Sequence, residues 1–364
     1  MNRKKICWLA AVVAYATTAV AQIEKVNPVI GTDGMGHTFP GACVPFGMIQ
    51  LSPDTDTIPH NVDGVYQPDV YAYCAGYQYH DSTIVGFSHT HFSGTGHSDL
   101  GDILLMPTTG ALKLNPGTKD CPDAGYRSRF SHETEKATPG YYEVKLDDYD
   151  VKVQLTTTPR VGIHKYTYPK GTDGRVILDL NHGIYNYDGK TLWANIRVEN
   201  DTLLTGYRIT NGWARTNYIY FAISFSQPIK NYGWWRKFPV NHNFPEMGGR
   251  KLVSYFEFDT ASQPELVIKV ALSASSTEGA LKNLQAEAAS QGFEQLAVKT
   301  SEQWKHQLSS IEVEGTPDQE AMFYTSYYHT MINPSIYMDV DGKYRGLDQN
   351  IHQASGFQNY TIFS

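Results

Sequence analysis

Cysteine is scarce in this chain, with four in 364 residues at Cys7, Cys43, Cys74 and Cys121. So small a number excludes a fold held together by disulfides. Clustered positive charge is also lacking: the formal net charge is −7 and no Lys/Arg stripe occurs in any segment. Nucleic acid therefore finds no electrostatic footprint. Internal repeats and low-complexity tracts are missing, and past the first twenty or so residues no stretch is apolar enough to be a membrane span.

The one apolar run, Ile6 to Val20, follows Arg3, Lys4 and Lys5 and is too short to cross a bilayer comfortably. It closes on Ala19-Val20-Ala21 before Gln22, the small-residue pattern of a cleavage site. Residues 1–21 are thus predicted to be an export signal, leaving a soluble protein that works in the periplasm or outside the cell. Cys7 lies before the apolar run rather than after it, which argues against a lipid anchor. Cleavage leaves Cys43, Cys74 and Cys121, so at most one disulfide forms and one thiol stays unpaired in the monomer. The remaining chain, about 340 residues, exceeds one ordinary core and is expected to divide into more than one unit.

What the sequence does have is aromatic residues, 13% of the total, including 25 Tyr and 6 Trp. They suit stacking on sugar rings and suit a β-sheet core equally well. From about Val26 to Leu272, short β-branched and aromatic runs alternate with turn clusters of Gly, Pro, Asn and Asp. Tyr141–Leu146, Val151–Leu155, Gly162–Tyr168 and Arg175–Leu180 carry near-alternating patterns, and Leu203–Ile209, Tyr218–Phe225 and Glu265–Ala271 repeat the reading. The simplest architecture is a large antiparallel β-sandwich over residues 22–275, with long decorated loops.

The periodicity changes at Ser276. Leu281, Leu284, Ala288, Phe293, Leu296, Thr300, Trp304 and Leu308 recur at helical spacing, with a break near Gly292, so residues 276–315 read as a helical linker. A further helix is predicted after Thr316, an N-cap followed by Pro317 and by Asp318 and Glu320 in the first turn, running to about Ile332 where Asn333-Pro334 stops it. The chain ends in the aromatic run Gly356–Ser364 without a cap or charged tail. That ending is expected to leave apolar groups unpacked, as in a further domain begun at residue 316 and not completed.

Two loops concentrate chemistry. In Val29–Met48, five glycines and two prolines surround His37 and two phenylalanines, a shaped surface loop in which the glycines either serve turns or admit a ligand closely. Its glycine spacing does not fit a phosphate-binding loop. In Gly86–Asp102, His89, His91 and His97 fall beside Asp99 and Asp102. If Phe87–Phe92 is extended, His89 and His91 project to one face, open to a transition metal, to polar contact with a ligand, or to a purely structural role. Calcium would prefer the carboxylates. The G-x-S-x-G elbow of a serine hydrolase is absent around Ser93.

Taken together, the segments Val26–Gly41, Val44–Met48, Gly76-Tyr77, Gly86–His91, Ser93–Gly96 and Asp99–Asp102 resemble glycoside hydrolase family 92. The resemblance resumes in Tyr328–Met331, Asn333–Ser335 and Asp339–Gly346, so it covers nearly the whole mature chain. It implies a galactose-mutarotase-like supersandwich, then linker helices and the start of an (α/α)6 barrel. It also implies a calcium-dependent, inverting exo-α-mannosidase acting on mannose-containing N-glycans. In that family the acid Glu, the base Asp residues and the calcium ligands lie in the barrel, past position 364, and a Leu-Trp-Asp-Thr-Phe-Arg motif would follow Phe363-Ser364. Hence no catalytic or metal-ligating residue is assigned within this chain, and by itself the chain is expected not to turn over substrate. The sandwich helps to close the sugar pocket in the family, which makes His37, Tyr77, His89 and His91 the expected substrate-binding residues. Two other readings compete: a free-standing carbohydrate-binding protein without hydrolase activity, and an unrelated metal hydrolase built on His89 and His91.

Overall fold

The computed structural model describes residues 22–56, 58, 61–235 and 241–362. The predicted export signal and its cleavage site lie outside the described residues. Among those residues, seventeen strands build two antiparallel sheets facing one another, the mainly β sandwich that the alternating patterns predict. The eight-stranded sheet runs in the order β1 (Ala42–Cys43), β2 (Gln50–Asp54), β3 (Gly86–Ser88), β4 (Leu104–Thr108), β9 (Gly174–Asp179), β16 (Val253–Phe258), β13 (Asn231–Trp235) and β14 (Asn241–His242). The nine-stranded sheet runs β15 (Glu246–Gly249), β10 (Thr191–Asn200), β11 (Leu203–Thr210), β12 (Asn217–Phe225), β17 (Glu265–Ser273), β8 (Val161–Thr167), β7 (Val151–Thr157), β6 (Tyr141–Leu146) and β5 (Lys136–Thr138).

The period of two decides which side chains meet between the sheets. Leu51, Phe87, Leu105, Leu178 and Phe256 from the first sheet pack with Val153, Phe221, Ile223, Ile268 and Leu272 from the second in one continuous core. The second sheet is covered on its other face as well. There Val161, Ile163, Ala222 and Ala271 lie under Ala280, Leu284, Phe293 and Leu296 of two helices, α1 (Thr277–Glu287) and α2 (Phe293–Leu308). Strands buried on both faces lose clean alternation, which is why Val161–Ile163 is apolar on one side while His164 and Tyr166 fill the other.

The helix starts follow their caps. Ser276 Oγ accepts from Gly279 N at 3.0 Å, and Gly292 breaks the helical run ahead of Phe293. Thr316 and Gln319 form a reciprocal capping box at the head of α3 (Pro317–His329), with Thr316 N donating to Gln319 Oε1 at 3.0 Å. The helix ends three residues before the predicted Ile332, because Met331 N and Ile332 N bond to the carbonyls three residues back and tighten the chain into a turn ahead of Pro334. Thr316→Ala is expected to cost about 1 kcal/mol of stability, read as a lower urea midpoint at unchanged m-value.

A second core joins these helices to the loops of the sandwich: Trp304 and Tyr328 pack with Phe39, Cys43 and Met331, and Trp304 Nε1 donates to Cys43 O at 2.7 Å. Beyond α3 the chain is stitched back to the sandwich. Phe46 N donates to Met331 O at 2.7 Å, Ile336 N to Phe46 O at 2.8 Å, and Ser273 Oγ to Asp339 at 2.8 Å. Among the described residues, no helix is long and apolar enough to cross a membrane. Cys43, Cys74 and Cys121 are all free thiols.

Candidate functional site

The loop that follows β3 carries two of the four predicted site residues, His89 and His91, and the structure sends them to different places. Regular pairing of the strand ends at Ser88, so His89 and His91 do not share one open face. His89 turns into the space between the sheets. Its Nδ1 donates to Ile103 O at 2.6 Å and its Nε2 meets His164 Nε2 at 3.0 Å, while Tyr166 OH bonds His164 Nδ1 at 2.8 Å. Only one set of protons satisfies this chain: Tyr166 donates to His164, His164 to His89, and His89 to the carbonyl, with both imidazoles neutral. Burial pushes His89 down to about 3 and His164 well below the ordinary range. Glycine at position 162 is required here, since a Cβ would come within 2.6 Å of the His89 ring.

His91 belongs to another network. Its Nδ1 faces Gln50 O at 2.7 Å and its Nε2 faces Asp54 Oδ1 at 2.9 Å, while His182 Nε2 takes the other oxygen of Asp54 at 2.7 Å. Burial alone would raise the Asp54 carboxyl, but the two imidazoles outweigh it and hold the group well below the usual carboxylate range. Gly76 (φ +78°) closes over this carboxylate; any Cβ there would collide with Asp54 Oδ1. Tyr77, next in sequence, joins neither histidine. Its OH donates to Glu135 at 2.9 Å, alongside Tyr142 OH and His132 Nδ1, each at 2.6 Å.

His37 alone of the four sits beside exposed aromatic surface. It adopts φ +54°, and its carbonyl accepts from Gly94 N at 2.7 Å. Its ring meets Tyr71 edge-on at 4.8 Å. Its Nε2 is buried and has no hydrogen-bond partner among the described residues, and burial lowers its pKa.

The structure adds residues that sequence reasoning did not nominate. Trp213, 55% exposed, packs on His97 at 4.3 Å, and His97 lies 5.9 Å from Tyr185, which lies 5.2 Å from Tyr187. This ridge is pinned from below by Asp99. One oxygen of Asp99 accepts from Trp213 N at 2.7 Å and the other pairs with Lys190, whose ammonium stands 5.2 Å from the Tyr185 ring centre. Burial would raise Asp99, but Lys190 and two backbone donors hold it low. Asn211-Gly212-Trp213 and Tyr185-Asn-Tyr187 could have been found as aromatics placed in turn-forming segments, where a large apolar side chain has no core to enter.

Leu100 (φ +72°), Gly101 (φ +79°) and Ile103 (φ +57°) place left-handed residues close together, a costly arrangement for β-branched Ile103. The His89–Ile103 bond, Gly101 N to Thr90 O at 2.9 Å and Arg208 to Asp102 at 3.1 Å hold that loop in shape. His89 thereby acts from behind, by fixing the loop that carries Asp99. Asp54, Asp99, Asp102 and Glu135 each have both oxygens engaged by protein donors. They fit neither a calcium ion, which needs free oxygens, nor proton transfer to a substrate. Among the described residues no cluster of three or more His, Cys, Asp or Glu could hold a metal, and the nitrogens of His89 and His91 are already committed to protein partners.

An exposed ring of Trp and Tyr above a fixed polar base offers flat apolar faces with hydrogen-bonding edges, the surface that sugar rings present in complement. Residues 25–273 match the glycosyl hydrolase family 92 N-terminal domain, and residues 279–364 match the family's catalytic domain. The chain belongs to glycosyl hydrolase family 92. This family 92 chain is 39% identical to a family 92 α-mannosidase from Bacteroides thetaiotaomicron solved in complex with mannoimidazole, with a TM-score of 0.85 over 93% of this chain and 44% of that one. It is 26% identical, with a TM-score of 0.76, to a family 92 inverting mannosidase from the same species, over 94% of this chain and 44% of that one. A curated relative, an uncharacterized secreted glycosidase of Arthroderma benhamiae, is 24% identical over 86% of this chain and 42% of its own length. The family 92 chain thus spans less than half the length of the relatives it matches.

Proposed function

We propose that this family 92 chain is the glycan-recognising part of an exported, inverting exo-α-mannosidase acting on mannose-containing N-glycans. The observation that carries the reading is the ridge of Trp213, His97 and Tyr185, held in place by the buried Asp99–Lys190 pair. A mannose ring lies its apolar face on Trp213, and hydroxyls at its rim meet the imidazole and phenol edges. His37 and Tyr71 flank the ridge as further contacts, while Tyr77, His89 and His91 contribute by holding the loops. The solved relatives named as α-mannosidase and inverting mannosidase, and the relative named as secreted, support the substrate class, the stereochemistry and the export.

Inversion needs an acid carboxyl and a base carboxylate roughly 6.5–9.5 Å apart across the glycosidic bond. The carboxylates under these loops are engaged elsewhere, so the sandwich positions the sugar and the proton transfers fall to groups outside it. Calcium in this reading is likewise bound outside the loops described, where it would engage sugar hydroxyls. The same observation favours a second reading for the 364-residue chain taken alone, sugar binding without hydrolysis.

Calorimetry with α-linked mannobiose, together with an assay of released mannose with and without a calcium chelator, separates the readings. The chain should bind the disaccharide and release no mannose under either condition, and Trp213→Ala should weaken binding about tenfold. Chelator-sensitive release by the chain itself would show that it carries its own acid and base, and undiminished binding by the Trp213 variant would displace the ridge as the sugar site.

A further inference from the structure

The outer face of the eight-stranded sheet carries a groove continuous with the aromatic ridge. Alternation along β13 sends Trp234 into the core and leaves Trp235 outside, 44% exposed. Trp235 pairs with Val253, which pairs on its other side with Asp179, so these three residues share one face. They line a cavity of about 500 Å³ bordered by the segment Leu112–Pro116. A neighbouring cavity of about 360 Å³ shares Asn181 and Lys251 with it and extends to Tyr187, the last ring of the ridge.

The lining is poised for a ligand with many hydroxyls. Among the described residues, the side chains of Asn181, Asn186 and Arg250 make no hydrogen bond or ion pair, although all three face the cavity. Lys251 is paired with Asp188 at 2.9 Å, so the charges of the groove nearly balance and no field for a polyanion develops. Amide and guanidinium donors facing vicinal hydroxyls, with an exposed indole at the far end, match a neutral oligosaccharide. Adjacent strands lie about 4.8 Å apart, so Asp179 and Trp235, two strands apart, span about 10 Å, room for more than one sugar ring.

We propose that this groove is a remote subsite for the glycan chain, holding the sugars that extend from the ring seated on Trp213. This inference rests on the mannosidase reading above and adds a preference for extended over short substrates. It is tested by calorimetry on the full 364-residue chain with α-linked mannobiose and with a longer linear α-mannan oligosaccharide. Trp235→Ala and, independently, Arg250→Ala should each weaken binding of the longer saccharide about three- to tenfold and leave mannobiose unchanged. Both side chains are solvent-exposed, and circular dichroism verifies that the variants fold. No change with either saccharide, or an equal loss for both, overturns the groove while the ridge reading stands. If the unaltered chain binds neither saccharide, the ridge reading fails and the groove falls with it.

Discussion

Replacing Asp54 by Ala should cost about 3–5 kcal/mol of stability, lowering the thermal midpoint by roughly 4–7 °C. The carboxylate is fully buried, and its two oxygens receive His91 Nε2 at 2.9 Å and His182 Nε2 at 2.7 Å. Its removal strands two buried imidazole N–H groups with no water to replace the lost acceptor, and an unsatisfied buried donor costs more than the bond it made. Asp54→Asn keeps the volume and one acceptor oxygen, so its cost should be smaller, about 1–3 kcal/mol. Because the folded carboxyl lies below its unfolded value, its contribution is present above about pH 4 and is lost on acidification through that range. Urea titrations of both variants at neutral pH provide the measurement. A loss below about 1 kcal/mol for Asp54→Ala would mean that the imidazoles find other partners and that Asp54 does not organise the loops.

Asp54 also shows what sequence could and could not reveal. His91 lies 37 positions from Asp54 and His182 lies 128 away, and no local pattern joins them. His89 and His91 stand out in sequence as a pair and separate in space, one bonding across the sandwich and the other along its own sheet. The condition under which they would share a face, an extended Phe87–Phe92, is not met, because the regular strand β3 ends at Ser88. Tyr77 stands in a family-like segment, and that its hydroxyl donates to Glu135, 58 positions away, has no signal in the sequence.

The elements that sequence placed well are those governed by neighbours in the chain. Ser276, Gly292 and Thr316 mark helix starts through contacts three residues away, and α1, α2 and α3 begin where those caps stand. The antiparallel sandwich was legible for the same reason, since alternation needs only local order. What was not legible is occupancy: whether a carboxylate is free or already bound. Asp99 and Asp102 look like candidate ligands in sequence, and become structural anchors only once Lys190 and Arg208 arrive from the other sheet. Trp213, a lone Trp after Asn211-Gly212, carries no periodic signal in the sequence.

The buried histidine chain leads to an acid effect of comparable size. His89 and His164 are neutral in the fold, with His89 held down to about 3 and His164 well below the ordinary range, whereas in the unfolded chain each takes a proton near pH 6.5. Between those limits the unfolded state binds more protons, so stability must fall as pH falls, by about 1.4 kcal/mol per pH unit for each excess proton. From pH 6.5 to 5 the two groups together should remove roughly 3–4 kcal/mol, ahead of any carboxylate titration. The variant His164→Gln isolates the cause. A glutamine can accept from Tyr166 and donate to His89, so the chain of hydrogen bonds persists with one titrating group fewer. Unfolding free energies from urea titrations at several pH values between 5 and 7 should then give a slope shallower by about 1 kcal/mol per pH unit averaged over that range. An unchanged slope would mean that His164 is protonated in the fold or that water reaches it, and the His89–His164 pair would no longer explain how the loop bearing Asp99, to which Trp213 N donates, is held.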